Sequence, residues 1–73
     1  MRVIRRRDGA SLHATLTTTH AGKTFDFPTL VIDGVPYGCA DTAGYLLEEA
    51  DAGERAELRR WGYDLIEPRP GQP

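Results

Sequence analysis

The chain has 73 residues, of which 40% are hydrophobic and 27% charged, and its formal net charge is −2. This length fits one folded domain with a small core, and the composition is typical of globular rather than disordered proteins. The one cysteine, Cys39, excludes an intramolecular disulfide, and no apolar run reaches the roughly 20 residues that cross a bilayer. We therefore expect a cytoplasmic protein with a single domain at residues 1–67 and a disordered, proline-rich tail at residues 68–73.

The start of the chain predicts a β-hairpin. Asp8-Gly9 favours a tight turn, because both residues tolerate the positive φ angles that hairpin turns require. After this turn, residues 11–17 alternate between apolar and polar side chains, which is the pattern of a strand with one buried face. We expect strands on both sides of the turn.

Residues 25–37 predict a third strand that ends near Pro28, followed by a short hairpin or tight turn between residues 29–32 and 35–37. Phe25 and Phe27 have the spacing that places both rings on one face of a strand. Asp33-Gly34 repeats the turn signal of the first hairpin. Pro36 cannot donate a backbone hydrogen bond, so the strand after that turn is expected at the edge of a sheet.

The helical signals begin at Asp41, a good N-cap residue, and a helix from there would align Ala43, Leu46, Leu47 and Ala50. One unbroken helix would also bring Glu54 onto this apolar face, so we predict a break near residue 51 and a second short helix. Asp51 and Glu54 have the spacing of a capping box, and Gly62 suits the left-handed position after a helix.

Together these elements predict an α+β fold of two layers. It is an antiparallel sheet of three to five strands with one or two short helices packed on one face. Residues 64–67 are a candidate for the last strand. The predicted core consists of Phe25, Phe27, Leu46, Leu47, Leu58 and Trp61.

Sequence motifs for catalysis are weak. The glycines lack the spacing of nucleotide-binding loops, and no pair of Cys or His residues has the spacing of metal ligands. We therefore predict a non-enzymatic protein without a cofactor or metal. The enzymatic alternative would have to use His13, His20 or Cys39.

The clearest functional signal is an excess of carboxylates around the predicted helices. The ordinary explanation is a solvated face in which acids near helix N-termini stabilise the helix dipole by about 0.3–1 kcal/mol each. The alternative is a docking face for a basic partner. Its candidate residues are Asp41, Glu48, Glu49, Asp51, Glu54 and Glu57.

Basic residues concentrate at the other end of the sequence. The ordinary explanation of these arginines is a charged edge strand that resists aggregation. One alternative is a nucleic-acid contact, which would also require an exposed aromatic platform. Another is a basic edge that pairs with an acidic partner or with the acidic face of a second copy. The candidate residues for the nucleic-acid contact are Arg2, Arg5, Arg6 and Arg7.

A small, cysteine-poor α+β chain with an acidic face and no catalytic motif resembles phage-encoded inhibitors, anti-CRISPR proteins among them. The resemblance lies in size and charge layout. It implies a protein-binding inhibitor or adaptor whose acidic helical face blocks the basic nucleic-acid-binding surface of a host effector, such as a CRISPR effector subunit. We expect a monomer or small homo-oligomer. The alternative function is a small nucleic-acid-binding or regulatory protein that uses the arginine-rich strand.

Overall fold

The computed structural model describes residues 1–65, and these residues form one antiparallel sheet and one α-helix. The predicted α+β class is confirmed. In chain order the elements are β1 (Arg2–Arg5), β2 (Ser11–His20), β3 (Lys23–Ile32), β4 (Val35–Tyr37), a 3-10 helix (Cys39–Asp41), β5 (Tyr45–Glu49) and α1 (Ala52–Arg60).

The sheet has five strands in the order β4-β3-β2-β1-β5, so β4 and β5 are its edges. β2 is shared between two halves of the sheet, because its first residues pair with β1 and its later residues with β3. The edge strands approach each other, since the Tyr45 hydroxyl donates a hydrogen bond of 2.9 Å to the Tyr37 hydroxyl. The sheet therefore curls until its two edges meet at the tyrosine pair.

Two hairpin turns have the backbone of tight, two-residue turns. In the β3–β4 turn, Asp33 and Gly34 have φ angles of 50° and 81°, as the sequence predicts. The β2–β3 turn has the same form, with Ala21 at φ 51° followed by Gly22 at φ 79°. The turn after β1 is longer than predicted, because the Arg5 amide donates to the Ala10 carbonyl.

The predicted helix over residues 41–50 is wrong. The chain forms the 3-10 helix there and then β5, which pairs with β1. Leu47 lies opposite Val3, and both side chains are buried. Strand pairing therefore prevails over the helical spacing of the leucines, and Gly44 inside the segment weakens a helix by about 1 kcal/mol.

The predicted second helix is confirmed as α1, which begins after residue 51 but follows a strand and not a first helix. The Glu54 amide donates to the Asp51 carboxylate at 2.7 Å, and the Asp51 amide donates to the Glu54 carboxylate at 2.9 Å. At the other end Gly62 has φ 81°, and the Tyr63 amide donates to the Leu58 carbonyl at 2.8 Å. These contacts satisfy backbone groups at both ends of α1.

The core lies between α1 and the sheet. It consists of Val3, Ala14, Leu30, Ile32, Leu47, Ala50, Leu58 and Tyr63. Of the six predicted core residues, Leu47 and Leu58 are buried, while Phe25, Leu46 and Trp61 are half-buried and Phe27 is 64% exposed.

The phenylalanines miss the core because the β2–β3 pairing shifts register between Thr17 and Thr19, opposite the segment that contains them. Pro28 follows Phe27 there and has no amide hydrogen for a regular ladder. Residues 64 and 65 lie outside any strand. The rest of the predicted last strand and the predicted tail lie outside the described residues.

Candidate functional site

The six predicted acidic residues are divided among three elements. Glu48 and Glu49 lie on β5, Asp41 ends the 3-10 helix, and the other three belong to the N-cap and body of α1. They do not form one helical face, because the helix that would have joined them is a strand.

Three of the acids line one groove between α1 and β2, with a volume of about 730 Å³. Asp51, Glu54 and Glu57 form its α1 side, and residues 15–18 of β2 form the opposite side. Met1 and Pro28 add apolar surface. We call this surface, defined by these residues, the acidic groove.

Each carboxylate of the acidic groove is held by contacts within the chain. Asp51 and Glu54 form the capping box, and the second Glu54 oxygen lies 3.3 Å from the Met1 amine. Glu57 accepts a 3.0 Å hydrogen bond from the Trp61 indole nitrogen. A carboxylate has room for about four hydrogen bonds, so these anchored groups keep acceptor capacity for a ligand.

An aromatic patch adjoins the groove. The rings of Phe27 and Trp61 lie 5.9 Å apart at an angle of 55°, and the Arg60 guanidinium lies 5.8 Å from the Trp61 ring. Phe27, Pro28 and Trp61 line a second depression of about 400 Å³, and Pro28 also lines the acidic groove. We call these three residues the aromatic patch.

The sequence pattern does not predict this patch, because the spacing of the aromatic residues favours a place for both rings in the core. The available signal was Pro28 directly after Phe27, which marks an irregular strand.

The remaining acids lie elsewhere. Glu48 accepts a hydrogen bond from the Ser11 hydroxyl and lies 3.8 Å from Arg2. Asp41 and Glu49 are exposed. These three residues are outside the acidic groove.

Of the four predicted arginines, Arg2 lies apart from the other three. Arg2 bonds the Ser11 hydroxyl at the start of β1. Arg5, at the end of β1, makes two hydrogen bonds of 3.0 and 2.7 Å to Asp8, which raise the pKa of Arg5 and lower the pKa of Asp8 to about 2. Arg6 and Arg7 follow in the exposed loop.

Arg5, Arg6 and Arg7 line a cleft of about 500 Å³ together with Tyr37, Gly44 and Tyr45. We call these six residues the basic cleft. The tyrosine rings are 5.3 Å apart at 63°, in an edge-to-face arrangement. No local sequence pattern predicts this contact between the tyrosines, because it depends on the curl of the sheet.

The three residues named for the enzymatic alternative each have a different set of neighbours. The His13 ring lies 3.2 Å from the Thr15 hydroxyl, and the His20 ring lies 3.0 Å from the Gly34 carbonyl. Cys39 is a free, exposed thiol. Within residues 1–65, no three His, Cys, Asp or Glu side chains are placed to hold a metal ion.

No protein-family model, curated protein or solved structure matches this chain. In the part of the chain that the structure describes, no helix is long and apolar enough to cross a bilayer.

Proposed function

We propose that this protein is a non-enzymatic inhibitor or adaptor that binds a basic segment of a protein partner in the acidic groove. The observation that carries the proposal is the placement of Asp51, Glu54 and Glu57 along one groove that also exposes apolar surface. A lysine or arginine there pairs its charged end with a carboxylate. Its aliphatic stem covers Leu16 and Pro28.

The spacing of the three carboxylates favours a chain of basic residues over a single small cation. They lie three residues apart along α1, and a rise of 1.5 Å per residue spreads them over about 9 Å. An extended peptide places alternate side chains about 6.6–6.8 Å apart on one side. Two basic residues separated by one other residue therefore fit within the row of three carboxylates.

The aromatic patch supports a protein ligand for an independent reason. Trp61 and Phe27 are large apolar side chains that remain accessible, and aromatic residues supply much of the binding energy at protein interfaces. Because Pro28 borders both surfaces, an apolar residue next to the basic ones reaches the patch. The proposed ligand is therefore a basic segment with an adjacent apolar side chain.

The inhibitor form of the proposal is occlusion of a partner's nucleic-acid-binding surface, a CRISPR effector subunit being one such partner. Lysines and arginines that bind phosphates also bind carboxylates, and the groove holds its carboxylates in fixed positions. We propose a cytoplasmic site of action, with the chain as a monomer or small homo-oligomer. A reducing compartment agrees with the free thiol of Cys39.

The test compares two variants that remove the same number of charges. Asp51→Asn/Glu54→Gln/Glu57→Gln neutralises the groove and keeps one carbonyl acceptor at each position, while Glu54→Gln replaces one of the two oxygens that accept from the Asp51 amide and the Met1 amine. Asp41→Asn/Glu48→Gln/Glu49→Gln neutralises the acids outside the groove. Circular dichroism and thermal melting establish that both variants are folded.

The probe is a display library of random peptides selected on the immobilised wild-type protein. We expect the enriched peptides to carry at least two Lys or Arg residues and an apolar neighbour. Their affinity should fall at least about tenfold in the groove variant, about 1.4 kcal/mol, and less than about twofold in the control. Equal losses in both variants would mean a net-charge effect, and enrichment of peptides without basic residues would refute the proposal.

A further inference from the structure

The basic cleft is a second surface with a chemistry opposite to that of the acidic groove. It forms where the loop after β1 passes the two edge strands, and the Arg6 amide donates a 2.8 Å hydrogen bond to the Gly44 carbonyl. Arg5 is also paired in register with Tyr45 in the sheet. Backbone contacts therefore hold the arginines beside the tyrosines.

The aromatic wall of the cleft is fixed but still accessible. Tyr37 and Tyr45 are both half-buried, and the hydrogen bond between their hydroxyls restrains both rings. Tyr37 accepts that bond, so its own hydroxyl proton remains available to a ligand. The wall offers ring surface for stacking and a donor at its rim.

The charge of the cleft is carried by Arg6 and Arg7. Asp8 accepts two hydrogen bonds from Arg5 and one from the Ala10 amide, so most of its acceptor positions are occupied within the chain. The Arg6 guanidinium makes a long contact of 3.5 Å with the Ala43 carbonyl. Among residues 1–65, neither Arg6 nor Arg7 forms an ion pair.

We propose that the basic cleft binds single-stranded nucleic acid, with phosphates on Arg6 and Arg7 and a base against the tyrosine wall. Arginine forms bidentate hydrogen bonds with phosphate, and stacking on an aromatic ring contributes about 1–3 kcal/mol per base. A paired base in a duplex is already stacked, so a single strand uses the wall better. An acidic peptide would use the arginines and leave the rings without a role.

Gly44 provides a steric test of this site that leaves the charges unchanged. It lines the cleft, and a Cβ atom built there has no heavy atom within 4 Å. A Cβ atom at this position therefore meets open space, and we expect a larger side chain to extend into the cleft. Gly44→Leu should block the ligand.

The experiment is a fluorescence anisotropy titration with a labelled oligothymidylate of about ten nucleotides, a length within the range that small single-strand-binding folds cover. It is run at about 50 mM and about 200 mM salt. The variants are Arg6→Gln/Arg7→Gln and Gly44→Leu. The matched control is Arg59→Gln/Arg60→Gln, which removes two positive charges from the last turn of α1.

We expect the Arg6/Arg7 variant to lose at least about tenfold in affinity, and its salt slope to fall by about 1.4 for two lost phosphate contacts. Gly44→Leu should bind weakly as well. The Arg59/Arg60 control should stay within about twofold of wild type at the higher salt, where distant charges are screened.

Three results would overturn the proposal. The first is no binding by the wild type at low salt, and the second is an equal loss in both double arginine variants. The third is displacement of the oligonucleotide by polyglutamate of matched charge at equal or lower concentration, which would assign the cleft to an acidic protein. If Gly44→Leu does not fold, the two arginine variants still decide the question.

Discussion

Tyr63 shows how one side chain ties the end of the described chain to the sheet. Its hydroxyl accepts a 3.2 Å hydrogen bond from the Leu30 amide and lies 3.0 Å from the Pro28 carbonyl and 3.3 Å from the Tyr37 carbonyl. Burial raises the pKa of this phenol. The hydroxyl therefore holds together segments that contribute to both the aromatic patch and the basic cleft.

Tyr63→Phe should lower the free energy of unfolding by about 1–3 kcal/mol, because it leaves the buried Leu30 amide without its acceptor. Urea denaturation measures the loss. Tyr45→Phe is the control, since it removes a hydroxyl whose partner, on half-buried Tyr37, can bond water instead. A loss for Tyr63→Phe no greater than for Tyr45→Phe would contradict this role.

Asp8 has a lowered pKa with a clear structural cause. Its two hydrogen bonds from Arg5, and a third from the Ala10 amide, lower its pKa from the ordinary value of 3.8 to about 2. A carboxyl whose pKa is lower in the folded state than in the unfolded state stabilises the fold at pH values above its unfolded-state pKa. That contribution is lost as the pH falls through the folded pKa.

We therefore expect wild type to be more stable than Asp8→Asn near neutral pH, and the difference to shrink as the pH falls from about 3.8 to about 2. Urea midpoints over that range measure the difference, and carboxyl NMR measures the pKa directly. If the NMR titration of the Asp8 carboxyl gave the ordinary pKa of 3.8, the ion pair between Arg5 and Asp8 would not persist in solution.

At the scale of elements, the two tight turns allow a comparison of two residue types in the same left-handed backbone position. Ala21 and Asp33 occupy the same position with φ angles of 51° and 50°. The left-handed region costs an ordinary residue about 1–2 kcal/mol, whereas Asn and Asp tolerate it better. The β2–β3 turn is therefore strained at Ala21, and the β3–β4 turn is not strained to the same degree.

Ala21→Asn should stabilise the protein by up to about 1 kcal/mol, since Asn-Gly is the preferred sequence for this turn. Asp33→Asn replaces one tolerant residue with another and should change stability by less than about 0.5 kcal/mol. Thermal and urea unfolding of both variants provide the comparison. Destabilisation by Ala21→Asn would mean that the turn adopts another backbone in solution.

The elements that sequence reasoning identified are those whose signals are local. α1 follows from Asp51, Glu54 and Gly62, which lie within its own boundaries or next to them. β5 does not, because its leucines have helical spacing and become a strand through pairing with β1, more than forty residues earlier. The identity of β5 is fixed by its partner.

The same distinction applies to the candidate sites. The carboxylates of the acidic groove were predicted from charge and spacing, and Arg5, Arg6 and Arg7 from composition. Pro28 lies opposite the register shift of the β2–β3 hairpin, and Leu16 lines the groove from the regular part of that pairing. Tyr37 and Tyr45 meet through the curl of the sheet, which no stretch of sequence encodes alone.

At the scale of the whole molecule, the two charged surfaces lie at opposite ends of β1. Met1, just before this strand, lines the acidic groove, and Arg5, its last residue, lines the basic cleft. Met1 and Arg5 are four residue steps apart along the strand, which corresponds to about 13 Å. The Debye length is about 10 Å at 0.1 M salt, so direct coupling between the sites should be largely screened near physiological ionic strength.

The molecule should therefore bind its two ligands independently at about 0.15 M salt. Neutralising Asp51, Glu54 and Glu57 should change oligothymidylate affinity by less than about twofold, and Arg6→Gln/Arg7→Gln should have as small an effect on the selected basic peptide. At low salt, the groove variant and the control without Asp41, Glu48 and Glu49 should both bind the oligonucleotide more tightly, because each loses the same repulsive charge. Titrations of the groove variant and of the Arg6/Arg7 variant, each with the oligothymidylate and with the basic peptide, measure the four affinities. Strong reciprocal losses at the higher salt would mean that one ligand spans both surfaces, because charge alone does not carry coupling over that distance.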